Sequence, residues 1–156
     1  MYDGGCAAVT ACDLCIYLSR QKRIRQLYPY EAFNLSKKDY LAFSGRMKHY
    51  LHPSWQGIDT LERYLSGLTA YWHDTGADGL KADGLPGTGS WKEAAKQVRG
   101  QIDCGVLVPY LLLFHKGPVF HDFQWHWFNL AGYEEFDGEF YVKAVTYGSF
   151  RWFNLR

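Results

Sequence analysis

Apolar residues recur at helical spacing as far as about residue 104, and beyond Gly105 they alternate with polar ones. An Ala-rich start followed by Leu14, Ile16, Tyr17 and Leu18 predicts a helix over 7–20. The basic cluster Arg20, Lys22, Arg23 and Arg25 closes it at the negative end of its dipole. Asn34 and Ser36 offer caps for a helix over 37–51, apolar at Tyr40, Leu41, Phe43, Met47 and Tyr50, which Pro53 stops. Gly57, Ile58 and Asp59 open a third helix over 60–74, apolar at Leu61, Tyr64, Leu65 and Leu68. Ser90 caps a fourth over 91–104, and Ser90 with Glu93 fits a capping box. Between these last two, five glycines and a proline make 75–89 a loop with room for one short strand.

After Gly105 the pattern predicts strands over 106–115, 126–134, 139–147 and 150–155, rich in Val, Tyr, Phe and Trp. Residues 135–138 read as a hairpin turn and Gly148-Ser149 as another. Helices first and an antiparallel meander afterwards predict an α+β fold, with the helical half packed on the sheet. Length and the absence of repeats or linkers make 1–156 a single domain.

Composition narrows the function classes. With 47% hydrophobic and 21% charged residues the chain is globular, and its net charge of +1 argues against nucleic acid or an anionic membrane as partner. The longest apolar run, 106–114, falls short of the ~18 residues a membrane-spanning helix needs. No early hydrophobic segment resembles a signal peptide, and four cysteines do not make a disulfide framework, so a cytoplasmic home is expected. Cys12 and Cys15 have zinc-like spacing but share one helix face without a second ligand pair. They read as core, and neither a metal nor a cofactor is expected.

The chemistry concentrates at two places. Gly4-Gly5 puts a permissive backbone before Cys6, and a helix starts at or just after that cysteine. A thiol there meets free backbone N–H groups and the positive end of the dipole, which favour a thiolate and can receive an oxyanion. Far downstream, His126 enters an apolar strand, where it is a natural base for the thiol. Alternation sets Trp125 and Trp127 against His126 and Phe128, which fixes the imidazole on one face. An aromatic content of 18%, densest over 114–153, supplies core and material for a peptide-binding cleft.

Three motifs occur in order: Gly5-Cys6-Ala7-Ala8-Val9, then Gly105-Val106-Leu107-Val108-Pro109, then His126-Trp127-Phe128-Asn129-Leu130-Ala131-Gly132-Tyr133. Together they resemble the papain-like cysteine peptidase superfamily, and within it bacterial proteins similar to double-glycine-leader, bacteriocin-processing peptidases. The resemblance implies Cys6 as nucleophile, His126 as general base, and a peptide or protein substrate. Two positions depart from the family pattern. Met1 to Gly5 lacks the family's Gln before the cysteine, so Gln124 or a backbone pair including Gly5 stands as oxyanion donor. The stretch 142–148 lacks the Asn or Asp that orients the imidazole; Thr146 is the first substitute, ahead of a backbone carbonyl and of Asp122, with Asn129 a further residue that could reach in. Asp122 and Trp125 are candidate substrate contacts. The reading is a cysteine hydrolase acting on a peptide or amide bond. The alternatives are a silent peptide-binding domain of the same fold and an acyltransferase with the same Cys-His pair.

Overall fold

The computed structural model describes residues 5–54 and 57–156. Among them are four α-helices: α1 (Cys6–Gln21), α2 (Lys37–Tyr50), α3 (Leu61–Asp74) and α4 (Trp91–Asp103). One sheet follows, with strands β1 (Val108–Leu112), β2 (His126–Phe136), β3 (Glu139–Thr146) and β4 (Ser149–Asn154). All neighbours are antiparallel in the order β1-β2-β3-β4, so the α+β class holds. None of the described helices is long and apolar enough to cross a membrane.

Three helices start on side-chain caps. Ser36 Oγ accepts from Asp39 N at 3.0 Å, Thr60 Oγ1 from Arg63 N at 3.3 Å, and Ser90 Oγ from Glu93 N at 3.3 Å. The capping box at α4 is half formed, because the Glu93 carboxylate takes Gln97 Nε2 instead of reaching back. At its other end α4 closes one residue earlier than expected. Gly105, at φ 68°, donates to Ile102 O, and Val106 N donates to Gln101 O, the two bonds of a Schellman motif. That closure uses residues 105 and 106 and delays the first strand to Val108.

Two further expectations are corrected. The 75–89 loop contains no strand. The hairpin turns are two-residue turns with positive φ at both positions: Asp137-Gly138 (52° and 77°) and Tyr147-Gly148 (51° and 70°). Glu135 and Phe136 therefore belong to β2, and the second turn lies one residue before Gly148-Ser149.

The sheet separates two apolar clusters. On one face Trp127 joins α1, α2 and α3 through residues such as Ala7, Ala11, Cys12, Cys15, Phe43 and Tyr71. On the other, Phe128, Leu130, Val142, Ala144 and Phe153 pack with Ala95 and Val98 of α4 and with Phe123. Phe123 ends a 3-10 segment, Pro118–Phe123, inside the arch of residues 113–125 that joins β1 to β2.

Candidate active site

Cys6 and His126 are each the first residue of an element, α1 and β2. Gly5 caps α1 without a side chain and with φ −84°, a conformation open to any residue, so the glycine freedom anticipated there is not used at Gly5. Gly4 lies outside the described residues. Val9 N donates to Gly5 O at 3.0 Å. The N–H groups of Cys6, Ala7 and Ala8 therefore precede the first intrahelical bond, and no acidic side chain stands in that turn. Cys6 is half-buried at the margin of the cluster that contains Trp127.

Helix α1 is fastened to β2 by a buried polar contact. Asn129 Nδ2 donates to Thr10 O at 3.0 Å, and Asn129 is only 3% exposed. Trp127, on the same face, donates through Nε1 to Ile58 O at 2.6 Å and lies flat against Tyr64, with ring centroids 4.0 Å apart. Trp127 and Asn129 thus face α1. His126 and Phe128 take the opposite face, as strand alternation requires.

On that face His126 Nε2 is 2.8 Å from Thr146 Oγ1. Tyr147 stacks on the imidazole at 4.7 Å with an interplanar angle of 6°. The β2–β3 register pairs Asn129 with Val145, and continuing it by one residue sets Phe128 across from Thr146, so His126 reaches the hydroxyl diagonally. With Nε2 engaged by Thr146, Nδ1 is the nitrogen left to exchange a proton with a thiol or substrate. Burial lowers the imidazole below its ordinary value of 6.5, so His126 is neutral, and able to accept a proton, at pH 7.

The remaining candidates fall into different places. Gln124 Nε2 donates to His115 O at 2.7 Å, which commits one of its two N–H donors to bracing the arch. In the same arch His115 Nδ1 accepts from Gly117 N at 2.9 Å and its ring lies against Phe120. Trp125 is 59% exposed and has φ 55°, an unfavourable conformation for a bulky residue, immediately before His126. Asp122 is solvent-exposed, 3.7 Å from His121 Nδ1, and borders a hollow that Thr146 also borders. Asn129 points to α1 and makes no bond to His126. Cys12 and Cys15 are buried in the helical core, where burial drives both thiols up, Cys15 to about 12.

Sequence patterning did not single out Tyr147 as an imidazole cover or Asn129 as a brace. Asn129 carried a usable signal, since it is the one amide in the apolar run 127–131 and a polar group on a covered face needs a partner. Compared with family models, curated proteins and solved structures, the chain matches none.

Proposed function

We propose that the chain is a papain-like cysteine hydrolase that cleaves a peptide or amide bond with Cys6 as nucleophile and His126 as base. The observation that carries this reading is the support of His126: Nε2 held by Thr146 at 2.8 Å and the ring covered by Tyr147. A base fixed through one nitrogen and neutral at pH 7 presents the other nitrogen for proton transfer. His126 Nδ1 takes the Cys6 Sγ proton as sulfur attacks the carbonyl carbon. Backbone N–H groups in the first turn of α1 receive the oxyanion. Collapse forms a thioester and expels the amine, which leaves with the proton from His126. Water, deprotonated by the same imidazole, then releases the acid and restores the thiol. If an amine replaced water in that last step, the same constellation would transfer the acyl group.

A second reading, a papain-like peptide-binding module without chemistry, draws on a different observation. Alternation turns His126 to the sheet face opposite α1, the helix that bears Cys6. Peptide mapping after timed exposure to iodoacetamide at pH 7 separates the two, with exposed Cys104 as internal reference. The hydrolase reading expects Cys6 to react faster than Cys104, and His126→Ala to remove the advantage. Cys6 reacting no faster than Cys104, or equally fast without His126, leaves the binding module.

A further inference from the structure

Behind the His126–Thr146 pair lies a hollow of about 140 Å³, open to solvent. At about 30 Å³ per water it holds four or so waters, or one small organic molecule. Its floor is made of two alternate cross-strand pairs, Ala144 with Arg151 and Thr146 with Ser149, with the pair Val145 and Phe150 between them in the ladder. Phe123 forms a wall, with the Arg151 guanidinium 5.7 Å from its ring, and Asp122 borders the hollow from the 3-10 segment.

Two opposite charges, both solvent-exposed, border this space. Arg151 makes no ion pair among the described residues, and Asp122 has only the exposed His121 nearby at 3.7 Å. The two groups border one small volume without pairing with each other. A simple anion in the hollow meets the Asp122 carboxylate, and a simple cation meets Arg151; a zwitterion satisfies both. Thr146 adds a directional donor. Its hydroxyl has a single proton, and when Nε2 of His126 carries hydrogen, that nitrogen donates to Oγ1 and the hydroxyl proton must turn elsewhere. A carboxylate in the hollow is a suitable acceptor.

We propose that this hollow binds a small free α-amino acid, with its carboxylate on Arg151 and the Thr146 hydroxyl and its ammonium on Asp122. The occupied site favours the protonated imidazole, because a ligand carboxylate that accepts a hydrogen bond from the Thr146 hydroxyl makes Oγ1 a stronger acceptor for Nε2–H and brings negative charge near the ring. The charged or titratable groups on this side of the sheet around the pair are Tyr147 in the β3–β4 turn, Asp122 and His121 on the 3-10 segment, and Arg151 on β4. Binding is independent of the hydrolase reading. Only its consequence, control of the base that serves Cys6, rests on that reading.

The test is an NMR titration of the His126 ring against pH in the Cys6→Ala chain, which removes the thiol from the proton balance. L-alanine, acetate and methylamine are the probes, each at millimolar concentration. L-alanine is expected to raise the His126 midpoint, with acetate and methylamine at least about tenfold weaker, a difference of about 1.4 kcal/mol. Arg151→Gln and Asp122→Asn should each weaken L-alanine by about tenfold. Thr146→Val should leave Arg151 and Ser149 resonances responsive to L-alanine while the His126 midpoint no longer moves. Acetate acting as well as L-alanine, an Asp122→Asn chain binding normally, or no response at millimolar L-alanine each overturns the proposal. Failure of Cys6 to show selective alkylation in the ligand-free protein bears on the hydrolase reading and leaves this titration as it stands.

Discussion

Asn129 on β2 donates through Nδ2 to the carbonyl oxygen of Thr10 on α1, a 3.0 Å bond between two buried residues. It joins the strand that begins with His126 to the helix that begins with Cys6. Asn129 Oδ1 is buried and has no partner among the described residues, so the amide is retained despite an uncompensated polar atom. Removing both atoms together is therefore cheap. Asn129→Leu should change stability by no more than about 1 kcal/mol, since the lost bond and the relieved oxygen offset each other. Asn129→Asp sets a carboxylate against the Thr10 carbonyl and should cost about 3–5 kcal/mol at pH 7. Burial raises the pKa of such a carboxyl, so its penalty shrinks as pH falls and the neutral acid forms. Urea denaturation of both variants at pH 5 and pH 7 checks the pattern. Equal penalties for Leu and Asp would show that the amide is not held as described.

The element pattern was legible because local chemistry agreed with it. Ser36 and Ser90 cap helices where capping residues stand before apolar periodicity, Thr60 is the cap of α3 and not its first residue, and the Val- and Tyr-rich runs pair as strands. Boundaries failed where one turn residue decided them. A two-residue turn puts positive φ at both positions, and non-glycine Asp137 and Tyr147 fill the first of them. Nothing in a polar-apolar pattern distinguishes Tyr147-Gly148 from Gly148-Ser149. At the candidate site, Thr146 was reachable because it is the nearest hydrogen-bonding side chain in 142–148, a stretch without a carboxylate or amide, and it does lie against His126. Gln124 was not, because its bond to His115 depends on how the arch folds back on itself.

Two glycines in helices give opposite predictions. A Cβ on Gly67 would run into the Tyr50 carbonyl and within 2.6 Å of Leu51 Cδ2, where α3 crosses the end of α2. The carbonyl belongs to the backbone and cannot step aside, so Gly67→Ala should cost about 1–3 kcal/mol. A Cβ on Gly45, within α2, meets nothing inside 4 Å. Gly45→Ala should therefore gain about 0.5–1 kcal/mol from the higher helix propensity of alanine. Thermal melts of the pair should move in opposite directions, and a shift of the same sign would contradict the α2–α3 packing.

Trp125 offers a separation of fold from function. Its indole is largely exposed and its backbone sits at φ 55°. Relief of that conformation should compensate for the greater chain entropy of glycine, so Trp125→Gly should keep the melting temperature within the change expected for about 1 kcal/mol. If Trp125 contacts substrate beside His126, the same variant should bind or cleave peptide more weakly while remaining as stable as the parent. A large loss of stability would assign the indole a packing role instead.

The His126–Thr146 pair makes a prediction about pH. Burial lowers the folded-state pKa of His126 below its ordinary value of 6.5. In the unfolded chain the ring recovers that value, so below it the unfolded state binds more protons than the folded state. His126 therefore costs nothing well above pH 6.5 and destabilises the fold increasingly as pH falls through 6.5. The penalty levels off once pH passes below the folded-state value. His126→Gln should remove this part of the pH dependence and change little at pH 8 beyond a constant offset. Thr146→Val deletes the hydroxyl 2.8 Å from Nε2, which accepts from Nε2–H when the ring is protonated. The imidazolium loses a hydrogen bond it needs more than the neutral ring does, so the folded pKa should drop further and the acid-side loss of stability deepen. Thr146→Ser keeps the hydroxyl and should behave like the parent. NMR titration of the His126 ring, with urea stability measured from pH 5 to pH 8, tests both halves. A His126 midpoint above 6.5 in the ligand-free chain would reverse the sign: the charged ring would then stabilise the fold at low pH, and a resting thiolate–imidazolium pair with Cys6 would replace the neutral base.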